Sequence, residues 1–136
     1  MIVSATSAEP ELLERAVSAF RGHGDAARFL AAEGTIAFLA VEEPTIQGWC
    51  WGYHLVRPDA SSMAYLHDLE VAAEWRGRGI GRQLMEAFVA MASARGASKM
   101  FLNTAAANLA ARRLYESLGG RPAAQGPTIS YWFHLA

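Results

Sequence analysis

Arg76-Gly77-Arg78-Gly79-Ile80-Gly81-Arg82 separates two stretches of different periodicity. Upstream, Leu66-His67-Asp68-Leu69-Glu70-Val71 alternates every second residue, the pattern of a strand with one buried face. Downstream, from Ile80 to Ala94, Leu84, Phe88, Val89 and Met91 recur at helical spacing, and Gly96 stops the helix. The heptapeptide is therefore a strand-to-helix turn. Free backbone N–H groups converge at a helix N-terminus, and the helix dipole favours an anion there. Glycine lets a phosphate come close to the backbone, and arginines add charge-assisted hydrogen bonds. Two other glycine-rich phosphate motifs do not match. No Gly-Lys-Ser/Thr is present, and the spacing of Gly77, Gly79 and Gly81 is not the dinucleotide fingerprint.

Outward from this turn, the chain reads as an α/β mixture in the order β-α-α-β-β-β-α-β-α-β. Ile2 to Ala5 is a short strand. A helix opens at Glu9-Pro10 and carries Leu12, Leu13, Ala16, Val17 and Phe20 on its apolar face until Gly22-His23-Gly24 breaks it. Asp25 caps a second short helix that ends near Glu33-Gly34. Thr35–Val41, Ile46–Val56 and Met63–Val71 form a meander of three strands, with Trp49, Trp51 and Tyr53 on one face of the second. Lys99 to Asn103 is a strand, Asn108 to Leu118 a helix closed by Gly119-Gly120, and Thr128 to Leu135 a final strand rich in β-branched and aromatic residues.

Length and composition bound the function. A chain of 136 residues reads as one domain, residues 1–136, and 52% hydrophobic residues suffice for a packed core. The lone Cys50 excludes a disulfide framework or a cysteine-cluster metal site, and no metal is expected. No stretch approaches the roughly 20 apolar residues of a membrane span, and Met1 to Thr6 lacks a basic, signal-like start. A cytoplasmic location is expected, with no membrane partner. A net charge of −1 argues against a nucleic-acid binder. The charge is split, however. Residues 1–75 hold eleven acidic and four basic residues, a net of −7, and residues 76–136 hold two acidic and eight basic, a net of +6. Such a chain offers an anion site from its second half and a cation site from its first.

Asp68 and Glu70, two residues apart on one strand, point the same way. Strict alternation sends His67 and Leu69 to the other face and keeps Leu66 with the carboxylates unless a bulge intervenes. Paired like charges raise one pKa, which suits a base working near neutrality. His54, His67 and His134 are fallback bases.

Arg76-x-x-Gly79-x-Gly81, followed by Asn103-Thr104-Ala105-Ala106-Ala107-Asn108 and Leu114-Tyr115-Glu116-Ser117-Leu118-Gly119, resembles the GNAT superfamily of N-acetyltransferases, and the element order does so over nearly the whole chain. The resemblance implies a mixed sheet with a splayed cleft for acetyl-CoA. It implies that the amides of Arg78 to Arg82, flanked by Arg76 and Gly77, hold the pyrophosphate. The Leu69 and Val71 backbones would pair with the pantetheine arm, Asn103 and Asn108 would contact the cofactor, and Tyr115 would protonate the departing thiolate. It also implies a homodimer.

More narrowly, Tyr65-Leu66-His67-Asp68-Leu69-Glu70-Val71 and the turn after it resemble the small GNAT aminoglycoside 3-N-acetyltransferases. Asp68 matches the strand aspartate placed at the antibiotic's amine. Asp25, Glu33 and Asp59, in or beside loops, would rim a cleft for a cationic substrate. The C-terminal Ser130-Tyr131-Trp132-Phe133-His134 departs from those enzymes in lacking acidic residues. The expected function is acetyl transfer to a primary amine of an aminoglycoside. The alternatives are another small amine, such as a polyamine or an amino-acid derivative, or a non-catalytic acyl-CoA-binding module.

Overall fold

The structure is a computed structural model that describes residues 1–124 and 126–135. They form two compact units, divided after Asn103. The first contains β1 (Ile2–Ser4), α1 (Pro10–Arg21), α2 (Ala26–Ala31), β2 (Thr35–Glu42), β3 (Thr45–Val56), β4 (Ser62–Val71), α3 (Ile80–Ala94) and β5 (Lys99–Phe101). A turn of 3-10 helix at Ala73–Trp75, which the periodicity does not announce, precedes the glycine-rich turn. The second unit contains α4 (Leu109–Ser117).

The five strands lie in the order β1-β2-β3-β4-β5. The first three junctions are antiparallel and the last is parallel. This mixed sheet, flanked by helices, is the expected fold class. β2 is buried from Ile36 to Val41 because it is covered on both faces, which explains its unbroken apolar run. On one face Leu13 and Ala16 of α1 and Ala26 of α2 pack with Ala37, Leu39, Val41 and Trp49. On the other, α3 lies against β2, β3 and β4, burying Leu84, Met85 and Phe88. Gly48 and Gly52 admit that helix, with Leu84 and Phe88 next to the positions their Cβ atoms would take.

Two departures from regular pairing shape the site. Between β3 and β4 the register shifts, so that Trp51 faces Asp68 while the next residue, Gly52, faces Leu66. His67 is the extra residue of a β-bulge. Between β4 and β5 the ladder holds only Met63↔Lys99, Ala64↔Met100 and Tyr65↔Phe101. β4 runs on to Val71, so about 20 Å of strand extends past the last pair. This is the splay that the family resemblance requires.

The strand expected at Thr128–Leu135 is not formed. Its residues have strand-favouring side chains but no ladder partner among the described residues, and Ile129, Tyr131, Trp132, Phe133 and Leu135 are exposed. β-branched and aromatic residues favour a strand only when a neighbouring backbone meets their N–H and C=O groups.

Candidate active site

The turn into α3 is built by backbone alone. Gly77 and Gly79 adopt φ of 77° and 82°, the left-handed region that favours glycine, and Gly79 caps α3. No heavy atom lies within 4 Å of a Cβ built at either position. The first turn of α3 precedes its opening bond, Gln83 N–H to the Gly79 carbonyl at 3.1 Å, so its amides are the ones a helix leaves for an anion. Around them, the Arg76 Nε donates to the Val71 carbonyl at 3.0 Å. The Arg78 guanidinium sits 4.8 Å from the centroid of the Trp75 ring, and Arg82 is 4.0 Å from Glu86, one helical turn on. The residues present fit a diphosphate: a glycine turn with open space over it, ringed by three arginines.

The carboxylates of β4 sit beside this turn in the chain, on the face opposite α3. The bulge decides their side. Upstream of it, the even-numbered Ala64 and Leu66 are buried, Leu66 opposite Gly52 and thus toward Phe88 of α3. Downstream, Asp68 and Glu70 pair with Trp51 and Trp49, on the α1 face. Leu69 instead opposes Cys50, whose Sγ reaches the Leu84 carbonyl of α3 at 3.6 Å.

Two alternation-based expectations are corrected by the bulge. Leu66 does not share the carboxylate face. His67 does not turn away from it: its ring stacks on Trp51, with centroids 4.3 Å apart and planes at 15°. Tyr65 meets the His67 ring edge-on, at 5.4 Å between centroids and 73° between planes. Exposed His67 therefore stands beside Asp68 on an aromatic floor.

The carboxylates are not a bare pair of like charges. Arg21, the last residue of α1, spans them: Nη1 donates to Glu70 Oε2 at 2.8 Å, and Nη2 donates to Asp68 Oδ2. Nη1 also donates to the Phe20 carbonyl at 2.8 Å, and Cζ lies 5.5 Å from the centroid of the Trp49 ring. Hydrogen bonding to Glu70, ahead of the opposing desolvation, raises the Arg21 pKa above its ordinary value, so the guanidinium stays charged in any assay. Sequence reasoning did not place Arg21 at these carboxylates. The only hint was its place among four basic residues in an acidic half-chain.

Of the three rim acids, none is shown beside Asp68. The Asp25 side chain is spent on the N-cap of α2, accepting from Ala27 N–H at 3.0 Å. Glu33 is exposed, just before Gly34. Asp59 lies in the β3–β4 turn, beyond Ser62, about 20 Å of strand from Asp68. It accepts from the Ser61 hydroxyl at 2.6 Å and from the Ser61 N–H at 3.0 Å, and these bonds lower its pKa. Trp49, Trp51 and Tyr53 share the α1 face as expected. Trp49 is core, stacked on Phe20 at 5.6 Å, and Phe29 packs edge-on to Trp51 and Tyr53. Asn103 ends the first unit. In the second, Asn108 caps α4 by accepting from Ala111 N–H at 3.1 Å, and Tyr115 lies seven residues on, in the same helix. No group of His, Cys, Asp and Glu among the described residues could hold a metal ion.

The sequence matches the model of the acetyltransferase (GNAT) family over residues 6–120. This chain belongs to that family. An aminoglycoside acetyltransferase from an uncultured soil metagenomic sample superposes with a TM-score of 0.87 at 25% identity, over 100% of this chain and 98% of that one. A second soil metagenomic aminoglycoside acetyltransferase, in complex with sisomicin, superposes with a TM-score of 0.80 at 21% identity, over 100% and 96% of the two chains. Among curated proteins, N-alpha-acetyltransferase 40 of Saccharomyces cerevisiae is 39% identical over 82 residues, covering 52% of this chain and 29% of that protein. Matched segments span about half or less of the curated relatives' own length. Enzymes of this GNAT family draw their acetyl group from acetyl-CoA. No helix among the described residues is long and apolar enough to cross a membrane.

Proposed function

We propose that this protein transfers an acetyl group from acetyl-CoA to a primary amine of a small cationic molecule, and that aminoglycosides, acetylated on a 2-deoxystreptamine amine, are its substrate class. One conjunction on β4 carries the reading. The strand outruns β5 next to the glycine-capped start of α3, and the same stretch holds Asp68 and Glu70 on the face away from α3. An extended pantetheine arm adds to a free strand edge as another strand would, here along Leu69 and Val71. The amides of residues 78–82 receive the diphosphate, with Arg76 and Gly77 beside them. Asn103 and Asn108 are assigned to the cofactor arm on the family resemblance.

Aminolysis of a thioester needs a neutral amine, a stabilised oxyanion and a proton for the leaving sulfur. Asp68 and Glu70 attract the substrate ammonium and take its proton. The nitrogen lone pair then attacks the thioester carbonyl, the C–S bond breaks, and the Tyr115 phenol protonates the thiolate, as the resemblance implies; the second proton leaves the nitrogen as the amide forms and restores the phenol by way of solvent. Asp25, Glu33 and Asp59 contribute only the longer-range negative field of the first half-chain. The protein acts as a homodimer on the same resemblance, which sedimentation velocity tests directly.

The deciding experiment follows thiol release from acetyl-CoA with kanamycin, gentamicin, spermidine and a peptide N-terminus. The aminoglycosides are expected to be fastest. A second reading, a peptide α-amine as substrate, is favoured by the segment similar to N-alpha-acetyltransferase 40, and the peptide would then outrun the antibiotics. No turnover with any amine, alongside intact coenzyme A binding, would leave a non-catalytic acyl-CoA-binding module. Tyr115→Phe is expected to lower kcat about 100-fold with little change in acetyl-CoA affinity. Equal loss of both would remove Tyr115 from the acid role.

A further inference from the structure

We propose that Arg21 is the resident cation of the amine subsite, a specificity-determining side chain that a substrate ammonium must displace. The inference rests on the amine-acetylation reading above and deepens it. Arg21 makes the contacts expected of a bound cationic group. Its two terminal nitrogens divide between Asp68 and Glu70, and its plane lies near the Trp49 ring. An indole face attracts any cation in this way, an alkylammonium as well as a guanidinium. Trp49 is itself fixed, buried to 4% exposure and stacked on Phe20.

The clamp is built to open. The Arg21 side chain is 45% exposed, and Asp68 and Glu70 are 23% and 34% exposed. Ion pairs this close to water are screened and exchange readily. Arg21 is anchored only at the end of α1, ahead of Gly22, where φ is 87° and no heavy atom lies within 4 Å of a Cβ position. Rotation about its own side-chain bonds releases both carboxylates without moving a strand. Until then, a cationic ligand sees an acid pair whose charge is already half neutralised and whose oxygens are already bonded. Its apparent affinity falls by the fraction of molecules in which Arg21 has swung away. A monoamine offers one charge in place of a fork that made two bonds, whereas a polyamine offers several. Arg21 therefore sets a threshold that favours multiply charged substrates.

The test measures binding of spermidine and of a monoamine, butylamine, by calorimetry in the absence of acetyl-CoA, for the wild type, Arg21→Gln and Arg21→Lys. Arg21→Gln is expected to bind spermidine about tenfold tighter. Butylamine should gain more, so that the preference between the two narrows. Arg21→Lys, which keeps a cation but cannot fork, should fall between. Equal or weaker binding by a natively melting Arg21→Gln, or no binding at all, overturns the proposal and leaves Arg21 a structural tie. If Arg21→Gln does not fold, the Arg21 Nε–H resonance of the wild type decides. It should move as spermidine is added, and a fixed resonance at saturating spermidine overturns displacement. Thiol release is scored separately. If no amine is acetylated but Arg21→Gln still gains affinity, the acetylation reading fails and the exchange stands.

Discussion

The turn at residues 76–82 is made by its own backbone, whereas the acidic stretch of β4 is made by its neighbours. At the turn, Gly77 and Gly79 touch nothing through their missing side chains. Their left-handed φ angles and the start of α3 suffice to set the amides. On β4, the direction of Asp68 depends on a register shift against β3, and its charge partner comes from α1, 47 residues earlier. Local geometry tolerates change in the rest of the molecule, but a site assembled from distant segments does not.

Four measurements would break or sharpen this contrast. The largest effect is expected from Gly52→Ala. A Cβ there would lie 1.9 Å from the Tyr65 carbonyl oxygen and 3.0 Å from Phe88, opposite the bulge. The variant should lose about 3 kcal/mol in urea unfolding; a loss below about 1 kcal/mol would mean that β4 tolerates its neighbours better than claimed. Gly79→Asp should follow. It puts a carboxylate on the diphosphate site and should weaken coenzyme A binding about 100-fold, roughly 2.7 kcal/mol by titration calorimetry. Open space surrounds Gly79, but its left-handed φ strains any side chain by about 1 kcal/mol, so the melting temperature should fall by a few degrees while coenzyme A binding falls far more. Retained binding would mean that the turn is not the diphosphate site.

Asp68→Asn should lower kcat/KM for a cationic amine about tenfold and remove the rising limb of its pH–rate profile. Arg21 is charged throughout, so that limb cannot come from the guanidinium. An unchanged profile would pass the base role to Glu70 or to His67. The smallest effect concerns Cys50, under α3. Burial pushes its thiol up from 9.0 to about 12. The folded thiol then stays protonated while the unfolded one ionises, so this contribution to stability is intact below pH 9 and is lost as the pH rises toward 12. The wild type should lose roughly 1 kcal/mol more than Cys50→Ala between pH 8 and pH 10. Parallel losses would mean that the core admits water.

Much of the fold was legible because it follows local pattern. The period change around Val71 and Ile80, the acidic first turn of α1 and the cap at Asp25 each needed only a few neighbouring residues. The residues of the glycine turn were legible for the same reason. Strict alternation placed His67 and Leu66 on the wrong sides, because one inserted residue changes the parity and leaves no mark in the composition. Arg21 was missed because no short-range rule links the end of a helix to a strand so far along the chain. The strand expected at Thr128–Leu135 was read from propensity, which names residues that suit a ladder but not the partner that would complete it.

His67 also acts as a spacer that resets the phase of its strand. Before it, even-numbered side chains go to grease; after it, they go to charge. Excising that single residue would leave Leu66 opposite Gly52 and Asp68 opposite Trp51 in regular pairing, with the acids on the same face as before. Keeping it but pairing it with Trp51 would instead set Asp68 opposite Cys50 and Glu70 opposite Gly48, turning both acids beneath a helix. The unpaired residue thus adds an imidazole to the charged face while the strand keeps its greasy one.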